Sequence, residues 1–171
     1  AAPFRTQRLR THLARTGYGL AAMYCFFYAI AHLPLADAML FTYSAPVFTP
    51  VLAWLWLKES LTRRMLALSL LGLAGVVLVA KPSDALFSWL SLVGLAASLL
   101  AASAFVSIRQ MSDTEPAFRM VFYFALFSTL FSALPLSWAW QPLSPSQLWL
   151  LLGAGLLAAL AQISMSRASS M

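Results

Sequence analysis

Long runs of apolar residues alternate with short polar or basic connectors along the whole chain. The apolar runs cover residues 17–33, 35–57, 61–80, 86–108, 120–140 and 148–165. An α-helix rises about 1.5 Å per residue, so a run of about twenty residues is long enough to cross the hydrocarbon core of a bilayer. The pattern therefore predicts six membrane-spanning helices, and its fold class is an all-α, polytopic transmembrane helix bundle.

The second run, residues 35–57, carries two prolines near its centre. Pro46 and Pro50 have no backbone N–H, so the carbonyls of Thr42 and Pro46 lose their partners in the helix. Hydroxyl groups lie on the same stretch, at Thr42, Tyr43, Ser44 and Thr49. Polar groups inside a bilayer must be bonded or must line a wet cavity. Two interpretations stay open: a wall of a substrate path, or a kink closed by the hydroxyls.

Two other runs add polar candidates for the same path. Tyr24 and Tyr28 lie one helical turn apart, and they either give aromatic faces to the cavity or lie at an interface or in the core. Gln162 is the one amide well inside a run. Because a buried amide needs partners, Gln162 either joins helices or contacts a ligand.

Small residues recur at helical spacing in several runs, where they allow helices to approach closely. Gly94, Ser98 and Ala102 follow one another every four residues and form a small face. We expect this face to pack against a neighbour, and we also count Ser98 among the substrate-path candidates. Close packing is expected for two further groups: Gly72 and Gly75, and Gly153, Gly155 and Ala159.

Composition supports a membrane protein, because 61% of the 171 residues are hydrophobic and only 9% are charged. Soluble domains contain about 25% charged residues. The mean hydropathy is +0.81. The formal net charge of +6 does not indicate nucleic-acid binding, since basic residues of membrane proteins mark the cytoplasmic ends of helices. The single cysteine, Cys25, cannot form an internal disulfide.

The basic residues predict the orientation of the chain. If residues 1–16 are cytoplasmic, six alternating spans leave all eleven lysines and arginines except Lys81 on the cytoplasmic side. A basic start before an apolar run also fits a signal peptide, but the five further runs favour a first membrane helix. We therefore expect a multi-pass protein of the cell (inner) membrane with both ends of this sequence in the cytoplasm.

Acidic residues stay near the ends of the predicted helices: Asp37, Glu59, Asp84, Asp113 and Glu115. Asp37 lies in the first turn of its helix, where the helix dipole favours an anion. No carboxylate or histidine lies at the centre of a run, so we expect no intramembrane proton relay. The sequence also lacks a metal-ligand cluster, a nucleophile elbow and a phosphate loop. We predict no catalytic residues, no metal, no cofactor and no enzymatic activity.

Three segments resemble the EamA-type members of the drug/metabolite transporter superfamily. They are residues 32–48, 55–64 and 71–82, in that order and spacing. Pro46 matches the proline within the fourth helix of the family, and Glu59 matches the acidic residue that closes that helix.

This resemblance implies a ten-helix transporter built as two inverted five-helix repeats. The chain would be an internal piece that holds helices three to eight and lacks the first two and the last two. Residues 1–82 would hold the last three helices of the first repeat, with spans 17–33, 35–57 and 61–80. Residues 83–171 would hold the first three helices of the second repeat, with spans 86–108, 120–140 and 148–165. The first, second, fourth and sixth spans would line a central cavity.

The function implied by the resemblance is secondary transport of amino acids, related metabolites or drugs by alternating access. The expected partners are the lipid bilayer, a small-molecule substrate and the remaining helices of a full-length chain, with a homo-oligomer as an open alternative. A different functional class also stays open, a non-transporting membrane scaffold or receptor subunit. In that case replacing Pro46 or Gln162 would alter assembly but no flux.

Overall fold

A computed structural model describes residues 6–80 and 88–168. Six helices follow one another along the chain: α1 (Leu9–His32), α2 (Leu35–Leu57), α3 (Arg63–Ala80), α4 (Leu90–Ser112), α5 (Ala117–Ala139) and α6 (Pro145–Ala168). No strand occurs in the described ranges. The prediction of an all-α, polytopic helix bundle is confirmed.

Most helices extend beyond the apolar runs that predict them. Helix α1 begins at Leu9 rather than at residue 17, so most of the basic segment continues the first helix. Helix α5 begins at Ala117 and α6 at Pro145, each three residues before its apolar run. The division into two repeats at residues 82 and 83 lies outside the described residues and stays a prediction.

Four segments are long and apolar enough to cross a membrane by length and composition: Leu35–Leu57, Leu90–Ser112, Ala117–Ala139 and Pro145–Met165. The other two predicted spans correspond to α1 and α3. Helix α1 begins with a polar, basic turn, and α3 begins with Arg63 and Arg64. Their membrane crossing therefore stays a prediction.

Proline and a left-handed residue define the ends of α2. Pro34 precedes Leu35 with an extended backbone, which a helix tolerates because the first helical N–H groups have no partner. The helix passes through Pro46 and Pro50 and ends at Leu57. Lys58 then adopts a left-handed conformation with φ of 58°, which stops the helix immediately before Glu59.

The chain forms two compact units. The first unit covers Gly17–Ser107 and contains most of α1, all of α2 and α3, and most of α4. The second unit combines the residues before Gly17 with those from Ile108 onwards, and it contains α5 and α6.

The core of the first unit joins α1 and α2. Ala29, Leu33, Ala38 and Phe41 are buried together, and the half-buried Ile30 and Leu90 pack against them. Helix α2 also packs along α3. Burial of a large side chain such as Leu33 or Phe41 contributes about 1.5–3 kcal/mol relative to exposure to water.

The core of the second unit lies where α4 ends and α5 begins. Ile108, Met111 and Met120 are buried together, and Ala117 and Met165 pack against them. Helix α5 packs along α6. This contact places the last turns of α6 beside the first turn of α5.

The small face of α4 packs as expected, but the glycines of α3 and α6 do not. A Cβ at Gly94 would overlap the ring of Phe41. Gly72, Gly75, Gly153 and Gly155 have no neighbouring atom within 4 Å of an added Cβ among the described residues, so the expectation of close packing there is wrong. In α3 the glycines lie on the wrong face of the helix for packing. The half-buried face is formed by Leu66, Ser69, Leu73 and Val76, and it leaves Gly72 and Gly75 exposed.

Candidate functional site

A cavity of about 240 Å³ lies between α1, α2 and α4 of the first unit. It is lined by Ala22, Met23, Phe26, Thr42, Ala97, Ser98 and Ala101. Two of these residues, Thr42 and Ser98, are substrate-path candidates from the sequence. Ligand pockets are mostly apolar with a few placed polar groups and commonly measure about 300–1,000 Å³, so this one suits a small compound.

Small side chains bring α2 and α4 together on one side of this pocket. Gly94 lies directly against the ring of Phe41, so any larger residue would separate the two helices. Four residues further along α4, Ser98 is fully buried and donates its hydroxyl to the Phe41 carbonyl. The Ser44 hydroxyl lies 2.9 Å from the Ser98 Oγ and 2.6 Å from the Phe41 carbonyl oxygen. This network makes Ser98 mainly a contact between helices.

Of the two hydroxyls in the pocket lining, that of Thr42 forms the weaker hydrogen bond. Its Oγ1 lies 3.3 Å from the Ala38 carbonyl oxygen, at the long limit of a hydrogen bond, and the residue is exposed. By contrast, the Thr49 hydroxyl donates to the Ala45 carbonyl at 2.9 Å. The hydroxyls of α2 therefore bond carbonyls of their own helix, and Thr42 has the most freedom to bond a ligand instead.

The remaining candidates of α1 and α2 lie elsewhere. Tyr24, Tyr28 and Tyr43 are exposed and do not line the pocket. Tyr28 stacks on His32 with ring centroids 4.2 Å apart. Pro46 is exposed and Thr49 is half-buried, both outside the pocket lining. Their roles in a substrate path stay predictions.

Gln162 belongs to a polar cluster in the second unit. Its Oε1 accepts a hydrogen bond of 2.9 Å from the Arg15 guanidinium. The same guanidinium donates to the Met120 carbonyl at 2.8 Å, and it lies over the Phe124 ring at 4.6 Å from the centroid. Arg15 thus joins the first turns of α1 and α5 to the last turns of α6.

His12 lies on the same face of α1 as Arg15, because residues three apart are neighbours on a helix. The imidazole is 1% exposed, and its centroid is 4.7 Å from that of Tyr123. Neither ring nitrogen has a hydrogen-bond partner in the described part of the chain.

Glu115 lies in the connector between α4 and α5, and its carboxylate bonds to residues on both sides of it in the chain. Its Oε1 accepts a 2.5 Å hydrogen bond from Thr6, and its Oε2 forms a 2.7 Å ion pair with Arg119. Burial alone would raise the pKa of Glu115, but the hydrogen bonds from Thr6 and Arg119 outweigh it, so the pKa lies below its usual value. A bond of 3.1 Å from Arg8 to the Gln110 carbonyl adds to this contact.

Sequence reasoning missed His12 and Arg15 as site residues, since both lie in a basic segment that predicts only orientation. Their spacing of three residues immediately before the apolar run is the signal that could have found them. Asp37 is buried and Glu59 is half-buried, and both have interaction partners. The described ranges contain no group of three or more histidine, cysteine or carboxylate residues that could hold a metal ion.

The chain is similar in sequence to known membrane transporters. The sequence model of the EamA-like transporter family matches residues 12–81. The pseudopaline exporter of Pseudomonas aeruginosa is 37% identical over 161 residues, which is 92% of this chain and 56% of the exporter. The riboflavin transporter of Vibrio cholerae is 28% identical over 166 residues, which is 96% of this chain and 56% of the transporter.

A mammalian relative is also similar. The solute carrier family 35 member G1 of Mus musculus is 30% identical over 135 residues, covering 70% of this chain and 36% of the carrier. The chain spans about half the length of the two bacterial relatives. No solved structure matches the chain. Together the matches and the apolar helices show that the chain is a multi-pass membrane protein that belongs to the EamA-like transporter family of the drug/metabolite transporter superfamily.

Proposed function

We propose that this chain is part of a secondary membrane transporter that moves small metabolites, such as amino acids or related compounds, by alternating access. The substrate passes through the pocket between α1, α2 and α4. The observation that carries this proposal is that pocket, which three helices line and where the Thr42 hydroxyl is available.

The relatives support the transport class rather than one substrate. Two of them are named for exporting pseudopaline and for transporting riboflavin, which are different small molecules. The pocket in this chain is small and apolar apart from Thr42 and Ser98. We therefore assign it to the apolar part of a metabolite, with Thr42 as the hydrogen-bonding group.

The membrane orientation is part of the same proposal. Placement in the cell (inner) membrane with both ends of this sequence in the cytoplasm puts every lysine and arginine except Lys81 on the cytoplasmic side. The residues before Gly17 and the C-terminal end of α6 would then both lie on the cytoplasmic side. The remaining helices of the full-length protein complete the cavity.

The test is transport by the full-length protein in proteoliposomes, with a panel of labelled amino acids and related metabolites. The variant Thr42→Trp fills the pocket, so we expect it to reduce the uptake rate at least tenfold. Leu71→Trp is the matched control, because Leu71 is exposed on α3 and does not line the pocket. It should transport at the wild-type rate.

Two results would contradict the proposal. One is the absence of flux of every compound in the panel from a correctly folded wild-type protein. The other is wild-type flux in Thr42→Trp at equal protein density, which would move the substrate path away from this pocket. Either result would favour the scaffold alternative or a different route through the bundle.

A further inference from the structure

We propose that the Arg15 guanidinium binds the acid group of the transported compound, so that the substrates include carboxylates. This inference rests on the proposed transport function and extends it to a second site, the Arg15 cluster of the second unit. The cluster consists of His12, Arg15, Tyr123, Phe124 and Gln162.

The first argument is a buried positive charge without a negative partner. Arg15 is 2% exposed, and its hydrogen bonds go to two neutral oxygens, the Met120 carbonyl and the Gln162 amide. No carboxylate pairs with Arg15 within residues 6–80 and 88–168. A guanidinium stays protonated in proteins, and burial without a counter-ion is costly. A buried charge of this kind is a candidate for a functional site.

The Glu115 carboxylate, which lies near His12, is already engaged. Glu115 accepts hydrogen bonds from Thr6 and from Arg119. These contacts hold the carboxylate at the connector before α5. The counter-ion for Arg15 therefore has to come from outside this set of contacts.

His12 supplies an independent observation. Its imidazole is 1% exposed, yet both ring nitrogens lack a hydrogen-bond partner among the described residues. Arg15, Arg119 and Glu115 all lie close enough to act on its charge. A buried polar group normally has a partner, so the bare imidazole indicates a place where a ligand oxygen can accept its N–H.

The chemistry of the two side chains fits an oxyanion. The planar fork of arginine binds a carboxylate with two parallel N–H···O bonds, which are stronger than bonds to neutral oxygens. An entering acid group would replace the Met120 and Gln162 oxygens as the acceptor of Arg15, and His12 would donate a further bond. The Tyr123 and Phe124 rings beside these residues would contact the apolar part of the compound.

The test uses the full-length protein in nanodiscs of neutral phosphatidylcholine, with succinate as the carboxylate probe and succinamide as its uncharged match. Ionic strength is held constant with chloride. We expect succinate at about ten times its Kd to raise the apparent Tm by about 3 °C, and succinamide to leave it unchanged. Equal shifts for both compounds, or none for succinate, would overturn the proposal.

Variants locate the effect. Arg15→Gln should lose the succinate response, whereas Arg10→Gln, at an exposed arginine of the same helix, should keep it. If Arg15→Gln fails to fold, Gln162→Glu decides instead, since it places a carboxylate beside the guanidinium. That variant should raise the Tm without ligand and abolish the succinate shift. A full succinate shift in Gln162→Glu would contradict the assignment.

A lipid headgroup is the other source of an oxyanion, so a second set of nanodiscs contains phosphatidylglycerol. Stabilisation by this lipid alone, without a succinate response in neutral nanodiscs, would overturn the substrate assignment. The outcome is also separable from transport. Succinate binding through Arg15 without any flux would refute the transport proposal only, and flux of neutral metabolites without succinate binding would refute this site only.

Discussion

The two units place polar groups near membrane helices in opposite ways. The first unit uses neutral hydroxyls, and Ser44 and Ser98 both bond the Phe41 carbonyl beside an apolar pocket. The second unit uses charge, with Arg15 buried among an amide, a backbone carbonyl and aromatic rings. A hydroxyl can complete its bonds within its own helix, but a guanidinium cannot.

This difference distinguishes polar groups that stabilise the helices from polar groups that can bind a ligand. Most hydroxyls of α2 and α4 donate to carbonyls three or four residues earlier, so they leave little demand for a ligand. The charge of Arg15 remains without a counter-ion after its described hydrogen bonds are made. The first unit therefore contains an apolar pocket, and the second contains a buried charge.

The largest expected effect is on the contact between α2 and α4. Gly94→Ala places a methyl group inside the Phe41 ring, so the helices must separate at a cost of about 1–3 kcal/mol. The apparent Tm of the full-length protein measures this change. Gly153→Ala is the control, because no described atom lies within 4 Å of its added Cβ. Equal Tm values for the two variants would show that the tight contact is absent.

The next effect tests the charged cluster. Gln162→Ala removes one acceptor from a buried guanidinium, and a hydrogen bond to a charged group contributes about 2 kcal/mol. Thermal unfolding should show a lower Tm than for wild type. Gln110→Ala should not, because Gln110 is exposed and contributes its backbone carbonyl rather than its side chain. A Gln162→Ala variant with the wild-type Tm would show that Arg15 is held in place without the Gln162 amide.

A smaller effect is expected in the hydroxyl network. Ser98→Ala removes the donor to the Phe41 carbonyl, and a neutral hydrogen bond is worth about 1 kcal/mol. Ser112→Ala is the control on the same helix, since its bond to the Arg109 carbonyl is exposed. The comparison of the two units would fail if Ser98→Ala destabilised the protein more than Gln162→Ala.

The smallest effect concerns pH and the connector before α5. The folded-state pKa of Glu115 is depressed, so its stabilising contribution is complete above its unfolded pKa of about 4.3 and is lost as pH falls through the folded value. Glu115→Gln should be less stable than wild type at neutral pH, and the two should converge in acid. Tm values measured from neutral pH downwards check this. A difference that stays constant with pH would contradict the role of the ionised carboxylate.

Local sequence predicted the helices well because length and hydropathy determine them. The end of α2 at Leu57 agrees with the end of its apolar run, and the close approach at Gly94 agrees with the four-residue spacing of small side chains. The failure at Gly72 and Gly75 has a physical cause. Spacing shows that a face is small, but only packing decides whether that face meets a neighbour.

The candidate site was predictable only in part. Thr42 and Ser98 meet at the pocket, because both face the junction of α2 with α4. Gln162 was expected to join helices or contact a ligand, and its partner, Arg15, lies 147 residues away in the chain. No periodicity in a single sequence reports a contact at that separation. Arg15 therefore looked like one more basic residue before a membrane span.

The central claim is that the pocket at Thr42 belongs to a substrate path. Cysteine accessibility tests it most directly, with Thr42→Cys in the full-length protein on a Cys25→Ala background and Leu71→Cys as an exposed position on α3. We predict that a membrane-impermeant thiol reagent labels Thr42→Cys from an aqueous side and that transported metabolites slow the labelling. A Thr42→Cys variant that is unreachable from both sides, like Leu71→Cys in lipid, would contradict the claim.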